Sequence, residues 1–252
     1  MHWPYNEWRS QLRGIFAVFV LIAIEASSAI CLAQTSGNQP ATASASAARN
    51  VLEAGDVYLP GSRVYVLVGK TGIGHEHGVE GQIKQGRINL RAARDAGLLL
   101  FDMASFSADT PEARKFVGLK KPEESSTQQQ LVDSNMRGNG VLGVAKFPTA
   151  SFAIKQIKKL DTPSNRNLPQ IQLDGDFSLH GVTRPLQVLA EVEEKNGWTH
   201  LIGRFTMLQS QFGITPFKKA FGAVGVTDQL SVWGDLWISR QRQAAPRPAE
   251  TH

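Results

Sequence analysis

Residues 170–192 read QIQLDGDFSLHGVTRPLQVLAEV. In the first half, Ile171, Leu173, Phe177 and Leu179 fall on one parity, and Gln172, Asp174, Asp176, Ser178 and His180 on the other. Side chains alternate across a strand, so this period of two describes a long β-strand with one apolar and one hydrated face. Gly181-Val182-Thr183-Arg184-Pro185 then interrupts the ladder, because glycine permits positive φ and proline lacks an N–H. A second alternation follows, with Leu186, Val188, Ala190 and Val192 sharing a face. Two half-buried strands joined by a turn predict a hairpin.

The same periodicity extends outward in both directions. Arg63 to Val68 is β-rich, and 69–86 contains six glycines, at 69, 72, 74, 78, 81 and 86, which predicts bent strands and bulges. Leu98 to Met103 is an apolar run suited to a buried strand. From about residue 105 to 140 the pattern changes. Asp109-Thr110-Pro111-Glu112 reads as a helix start, and Gln128 to Val132 as a second helical piece, so a helical excursion is expected near 109–135. Phe152 and Ile154 return to strand spacing. Asn196-Gly197 is a strong hairpin signal, followed by the stripes Leu201, Gly203, Phe205, Met207 and Leu230, Val232, Gly234, Leu236, Ile238. Short turns between successive strands favour an antiparallel meander. Strands of about ten residues span roughly 33 Å. A sheet that long avoids exposed edges by closing on itself, and about eight strands suffice for a barrel that holds one small ligand. The expected class is all-β.

The chain ends have a different composition. Arg9 and Arg13 precede the apolar run Ile15–Ile24, which at about ten residues is half the roughly 20 needed to cross a bilayer. Residues 1–33 therefore read as an export signal, with cleavage expected after Ala33. Retention as an anchor and acylation at Cys31 are the weaker readings. Cys31 is the only cysteine, so the processed chain has neither disulfide nor thiolate ligand. Residues 34–50 and 240–252 are poor in large apolar residues and read as a disordered linker and tail, leaving 51–239 as one domain. Of the formal net charge of +5, Arg49 and the tail carry three, the leader sums to zero, and the domain keeps +2. A nucleic-acid binder would concentrate basic charge on its folded surface, so no nucleic-acid partner is expected.

Candidate chemistry is sparse. His75 and His77 share a strand face, with His180 as a remote third ligand, but a metal site needs three or four, so strand and turn histidines are favoured and no metal or cofactor is expected. Asp174 and Asp176 could form a carboxylate pair, yet solvated outer-face carboxylates are commoner. Gly69–Gly74 (GKTGIG) echoes a phosphate loop without its spacing, and no nucleophile-elbow serine motif occurs. The expectation is a protein that is not an enzyme.

Four segments carry a resemblance: Gly74-His75-Glu76-His77-Gly78-Val79-Glu80-Gly81, Phe147-Pro148-Thr149-Ala150-Ser151-Phe152, Gly175-Asp176-Phe177-Ser178-Leu179-His180-Gly181-Val182-Thr183-Arg184-Pro185, and Ser210-Gln211-Phe212-Gly213-Ile214. Together they resemble the YceI-like lipid/polyisoprenoid-binding family over about residues 56–239. Ser126–Gln130 and Met207–Ser210 depart from its pattern. The resemblance implies a lipocalin-like antiparallel barrel, a periplasmic or secreted location, and an isoprenoid or related long-chain lipid in a tunnel. It also allows a homodimer, with membrane contact only transient or through a retained leader. On this basis Phe152, Ile154, Ile171, Leu173, Phe177, Leu179, Leu186, Val188, Leu201, Phe205, Phe212, Val232 and Leu236 are expected to line the tunnel. His180 and Arg184 either contact a lipid head group at its mouth or simply fix the Gly181 turn. The competing readings are a filled β-domain acting as an envelope or stress-response interaction module and, more remotely, a His-based metal-binding protein.

Overall fold

The computed structural model describes residues 51–120 and 126–246. The leader expected over 1–33 and the linker expected over 34–50 lie outside the described residues. In chain order the strands are β1 (Val51–Leu52), β2 (Arg63–Gly72), β3 (His77–Ile88) and β4 (Gly97–Ala108). Two helices follow, α1 (Pro111–Phe116) and α2 (Ser126–Arg137). Then come β5 (Thr149–Leu160), β6 (Gln170–Leu179), β7 (Val182–Lys195), β8 (Trp198–Leu208), β9 (Lys218–Lys219), β10 (Val224–Ser239) and β11 (Gln243–Ala244).

Strands β2 to β8 pair antiparallel with their chain neighbours, β8 pairs with β10, and β10 returns to pair with β2. Eight strands thus close into an antiparallel barrel, and each is hydrogen-bonded on both sides. The alternation in β6 is realised residue by residue: Ile171, Leu173, Gly175, Phe177 and Leu179 are buried, while the residues between them are half-exposed. Lys155 and Lys158 on neighbouring β5 pair with Asp176 at 2.7 Å and Asp174 at 2.8 Å on the outer wall. This wall is polar outside and apolar inside, the reverse of a transmembrane barrel. The two aspartates are outer-face ion pairs rather than a facing carboxylate pair.

Turn chemistry fixes the register. His180 (φ 52°) and Gly181 (φ 79°) connect β6 to β7, and Asn196 (φ 50°) and Gly197 (φ 83°) connect β7 to β8. Both are two-residue turns with positive φ at each position, the kind whose twist matches antiparallel strands. The interruption after His180 is shorter than the sequence implies. Val182 to Pro185 already pair with β6, and Pro185 faces Asp176, so only two residues leave the ladder. Bulges fall in β3–β4, β5–β6 and β2–β10, bending the strands around the barrel.

The expected helical excursion divides into α1 and α2. Thr110 caps α1 by accepting the Ala113 N–H at 3.1 Å, and Pro111 occupies its first turn. Phe116 of α1 stacks on Tyr65 of β2 at 3.9 Å between centroids, holding that helix against the wall. One expectation needs correction. The tail is expected to lack structure from 240, but Gln243–Ala244 pairs with Val51–Leu52, and Arg242 reaches Glu53 at 3.2 Å. Composition is blind to a partner strand that lies at the other end of the domain.

One end of the barrel is solid. Ile88, Ile154 and Ile238 are at most 2% exposed there, and Val57 and Ala96 pack with them. Gly175 allows the close approach of β5 and β6, because a Cβ there would sit 2.2 Å from the Ala153 carbonyl oxygen. Gly175→Ala should therefore cost about 2 kcal/mol through overpacking. It would appear as a lower urea midpoint with an unchanged slope; an unaltered midpoint would show that the crossing spreads freely.

Candidate functional site

Above the solid floor the barrel is hollow. A cavity of about 450 Å³ occupies its axis, within the range of roughly 300–1,000 Å³ typical of small-molecule sites. Glycines help to keep it empty. Gly203 on β8 and Gly234 on β10 are cross-strand partners that both line the space, and a Cβ on Gly234 would find its nearest atom, Leu236 Cγ, 3.9 Å away. Inward positions that would hold a side chain in a filled barrel here hold none.

Ten of the residues singled out from sequence form part of this wall: Phe152, Leu173, Phe177, Leu179, Leu186, Val188, Leu201, Phe205, Val232 and Leu236. Phe101, Phe205 and Phe212 surround Phe177 edge-on, with centroids 5.6–6.3 Å apart. Three residues singled out with them are buried elsewhere. Ile154 and Ile171 point inward but sit in the floor, and Phe212 packs behind Phe177 from the short helical turn Gln209–Phe212. Strand parity says which residues face inward; it does not say at what height along the axis.

The cavity reaches the surface at the rim formed by the β2–β3 turn and the start of β10. Ile73, 75% exposed, and Val224, 39% exposed, both line it. Val132, Asn135 and Met136 of α2, with Val141 and Leu142 after it, lie across the same end. Helix α2 is held there by Asp133, which accepts the Ala108 N–H at 2.7 Å and the Ser107 hydroxyl at 2.8 Å, and by Gln129, which donates to the Ala108 carbonyl at 2.9 Å. The polar groups on the wall are few: His75 and His77, Asn135, and Gln209, whose amide donates to the Thr227 carbonyl at 2.8 Å.

His180 and Arg184 are not on this wall. The His180 ring packs on Phe147 at 4.3 Å and its Nδ1 lies 3.3 Å from the Phe212 carbonyl oxygen, while Arg184 Nε donates to the Gln211 carbonyl at 2.6 Å. They bind the β6–β7 turn to the Gln209–Phe212 turn. Arg184 does so through a backbone carbonyl rather than a salt bridge.

His75 and His77 meet Asp109 instead of His180. His77 Nδ1 donates to Asp109 Oδ2 at 2.5 Å, and His75 Nε2 lies 3.5 Å from the same oxygen. The other carboxylate oxygen accepts from Arg114 at 2.6 Å and from the Gly78 N–H at 3.2 Å. One ligand atom from each of His75, His77 and Asp109 falls within 4.8 Å of the others, the spacing of a cation site. Both Asp109 oxygens are already engaged, however, and the buried Arg114 guanidinium places a positive charge beside them. The cluster is a charged hub that ties β3 to α1 at the rim. Asp109 and Arg114 are only five residues apart, but the β3 groups they hold, the Gly78 N–H and the Glu76 carbonyl, lie 31 and 38 residues away, so local spacing does not reveal this role.

Similarity to known proteins follows the same architecture. Residues 61–236 match the YceI-like domain model, and the chain belongs to that family. It is 30% identical over 116 residues to a UPF0312 protein of Pseudomonas syringae pv. syringae, covering 44% of this chain and 57% of that one. A UPF0312 protein of Azotobacter vinelandii is 34% identical over 97 residues, covering 37% and 47%. The chain thus spans about half the length of these curated relatives. Burkholderia cenocepacia BcnA superposes with a TM-score of 0.50 at 15% identity, covering 73% of this chain and all of BcnA. A polyisoprenoid binding domain from Saccharophagus degradans gives 0.48 at 10% identity, covering 75% and 99%.

Burial works against ionisation of Asp109, but the hydrogen bonds from His77 and Arg114 outweigh it and hold the carboxyl at about 2, below its usual 3.8. A depressed carboxyl contributes stability above its unfolded pKa and loses it as pH falls through the folded one. Stability should accordingly drop by about 2 kcal/mol as pH falls from about 4 to about 2. Asp109→Asn should flatten that part of the curve and cost about 3 kcal/mol at neutral pH, because Arg114 remains buried without its counter-ion. Urea melts of both proteins across this range are the check.

Proposed function

Starting from its place in the YceI-like family, we propose that this chain is an exported carrier that sequesters a polyisoprenoid or similar long apolar lipid in the barrel. The observation that carries the reading is the hollow axis: about 450 Å³ lined almost wholly by aliphatic and aromatic side chains, solid at one end and open at the rim. Such a bore suits a long, slender apolar tail such as an isoprenoid chain, since each buried methylene contributes about 0.8 kcal/mol before ordering costs. His75, Asn135 and Gln209 give the rim a few polar atoms, enough to orient a quinone or alcohol head without strict selectivity. The outer wall of ion pairs such as Lys158–Asp174 keeps the loaded protein soluble. Export rests on the leader-like sequence Arg9–Ala33, and it would place the carrier in a periplasm or outside the cell.

Binding here is a matter of desolvation and shape, and the reading assigns no bond-making step to any residue. Organic extraction of the purified protein followed by mass spectrometry should return a long-chain lipid near one per chain. Repeated extraction of none, together with no uptake of an added isoprenoid quinone, would contradict the carrier and favour an interaction module.

A structural variant separates the bore from the rest of the molecule. A Cβ at Gly234 meets only Leu236 Cγ, 3.9 Å away, and the residue lines the cavity, so Gly234→Phe directs a ring into the bore. It should fold with a melting temperature near that of the parent, yet bind an isoprenoid quinone at least about tenfold more weakly, the effect of losing roughly 1.4 kcal/mol of burial. Equal binding by parent and variant would place the ligand outside the barrel.

A further inference from the structure

At the cavity mouth two chain segments project away from the barrel. One is the turn Lys70-Thr71-Gly72-Ile73-Gly74-His75. The other is the hairpin Phe217-Lys218-Lys219-Ala220-Phe221-Gly222-Ala223-Val224-Gly225-Val226. They are joined: the Ile73 N–H donates to the Ala223 carbonyl at 2.9 Å, and Val224 pairs with Gly72. Within the hairpin, Lys219 faces Val224 and Lys218 faces Gly225, so the tip is a held structure rather than a loose loop. Three consecutive positive φ angles, at Ala220 (51°), Phe221 (54°) and Gly222 (89°), form its apex.

That apex carries a phenyl ring into open solvent. Phe221 has 113% of its reference exposure and is the one aromatic side chain classed as exposed among the described residues. Ile73, on the neighbouring turn, is 75% exposed. A Cβ added at Gly74 or Gly222 would meet nothing within 4 Å, so both apices stand clear of the rest of the fold. Within these two segments every formal charge is positive; the acidic residues that follow them are Glu76 and Asp228, the latter accepting from Ser210. Lys70, Lys218 and Lys219 are all exposed, and residues 69–75 and 213–226 contain no Asp or Glu. Lys70 Nζ donates to the Gly74 carbonyl at 2.8 Å, which sets its ammonium on the turn itself. Isolated exposed apolar residues are ordinary on a protein surface. A fully exposed aromatic at a held apex, beside a second exposed apolar side chain and ringed by lysines, is the composition of an interfacial anchor.

We propose that the hairpin 217–226 and the turn 70–75 form a docking surface for an anionic phospholipid bilayer, with Phe221 entering the interface and Lys70, Lys218 and Lys219 resting on the head groups. The position gives the surface a purpose. Ile73, Gly74, Phe217 and Val224 belong both to these segments and to the cavity wall. Docking by this face would turn the open end of the bore toward the membrane, so that an apolar ligand could pass between bilayer and barrel with little exposure to water.

The test uses protein purified after export, all variants sharing one amino terminus checked by mass spectrometry. It also uses vesicles of phosphatidylcholine alone or mixed with phosphatidylglycerol. Parent protein should co-sediment more strongly with the mixed vesicles, and added salt should weaken that binding. Lys218→Gln and Lys219→Gln should each reduce affinity about fivefold, and Phe221→Ser about tenfold. Phe221→Trp should shift its emission to the blue on mixed vesicles and be quenched by brominated lipid. The proposal is overturned if the serine and glutamine variants bind like the parent, if the tryptophan at 221 senses no lipid, or if Phe221→Ser instead dissolves a dimer that binds no vesicles. The docking surface builds on the carrier reading but is tested apart from it. Loss of vesicle binding with quinone uptake in solution intact confirms that Phe221 acts at the membrane. Vesicle binding with no quinone uptake removes the carrier and leaves the docking surface standing.

Discussion

Pairing of β10 with β2 is the constraint on which everything else rests. Registers such as Val232 opposite Val66 and Asp235 opposite Arg63 join the last long strand to the first. Once that seam is made, each strand must send one parity inward and the other outward. The inward parity of eight strands becomes a continuous apolar interior, and the outward parity becomes the lysine–aspartate wall. A one-residue slip at the seam would exchange the two faces of a whole strand.

Within the closed barrel, side-chain volume varies along the axis. Isoleucines at 88, 154 and 238 fill one end. Nearer the rim, glycines at 203 and 234 face each other across β8 and β10, and the space between the walls stays open. Helix α2 partly roofs that open end, fixed through Asp133 to the last residues of β4. The Asp109 hub fixes α1 and the start of β3 on the same rim. Buried charge thus appears where helices must be attached to strands, and the binding surface itself is left almost free of it.

Much of this was legible in the sequence, for a simple reason. A strand with one wet face writes its orientation into alternate residues, and Ile171 to Leu179 do so without exception. Asn196-Gly197 and Gly181 marked the turns through their tolerance of positive φ, although the second turn begins at His180 and is over by Val182. What the sequence hid was long-range or axial. Ile154 and Leu173 both face inward, but only the three-dimensional stagger of the barrel puts one in the floor and the other on the cavity wall. Phe212 belongs to a turn whose packing on Phe177 depends on the β6–β7 hairpin being in place. Asp109 sat within an evident helix start, and Thr110 turned out to be the cap. Arg114 is a near neighbour in sequence, but the partner that makes the hub, His77, is brought to Asp109 by the approach of β3 and α1, which local spacing does not encode. His180 and Arg184 were easy to notice because they flank a turn; their work is to hold that turn to a neighbouring segment.

The central claim is that a long apolar molecule lies inside the barrel. It is tested most directly by isotope-edited NMR on protein with labelled methyl groups, recorded with an isoprenoid quinone. The account predicts intermolecular contacts from the isoprene protons to Val188, Leu173 and Leu236, buried on the wall of the bore. Contacts confined to outward-facing methyls such as Leu98 and Leu189, with the inner ones unchanged, would contradict it.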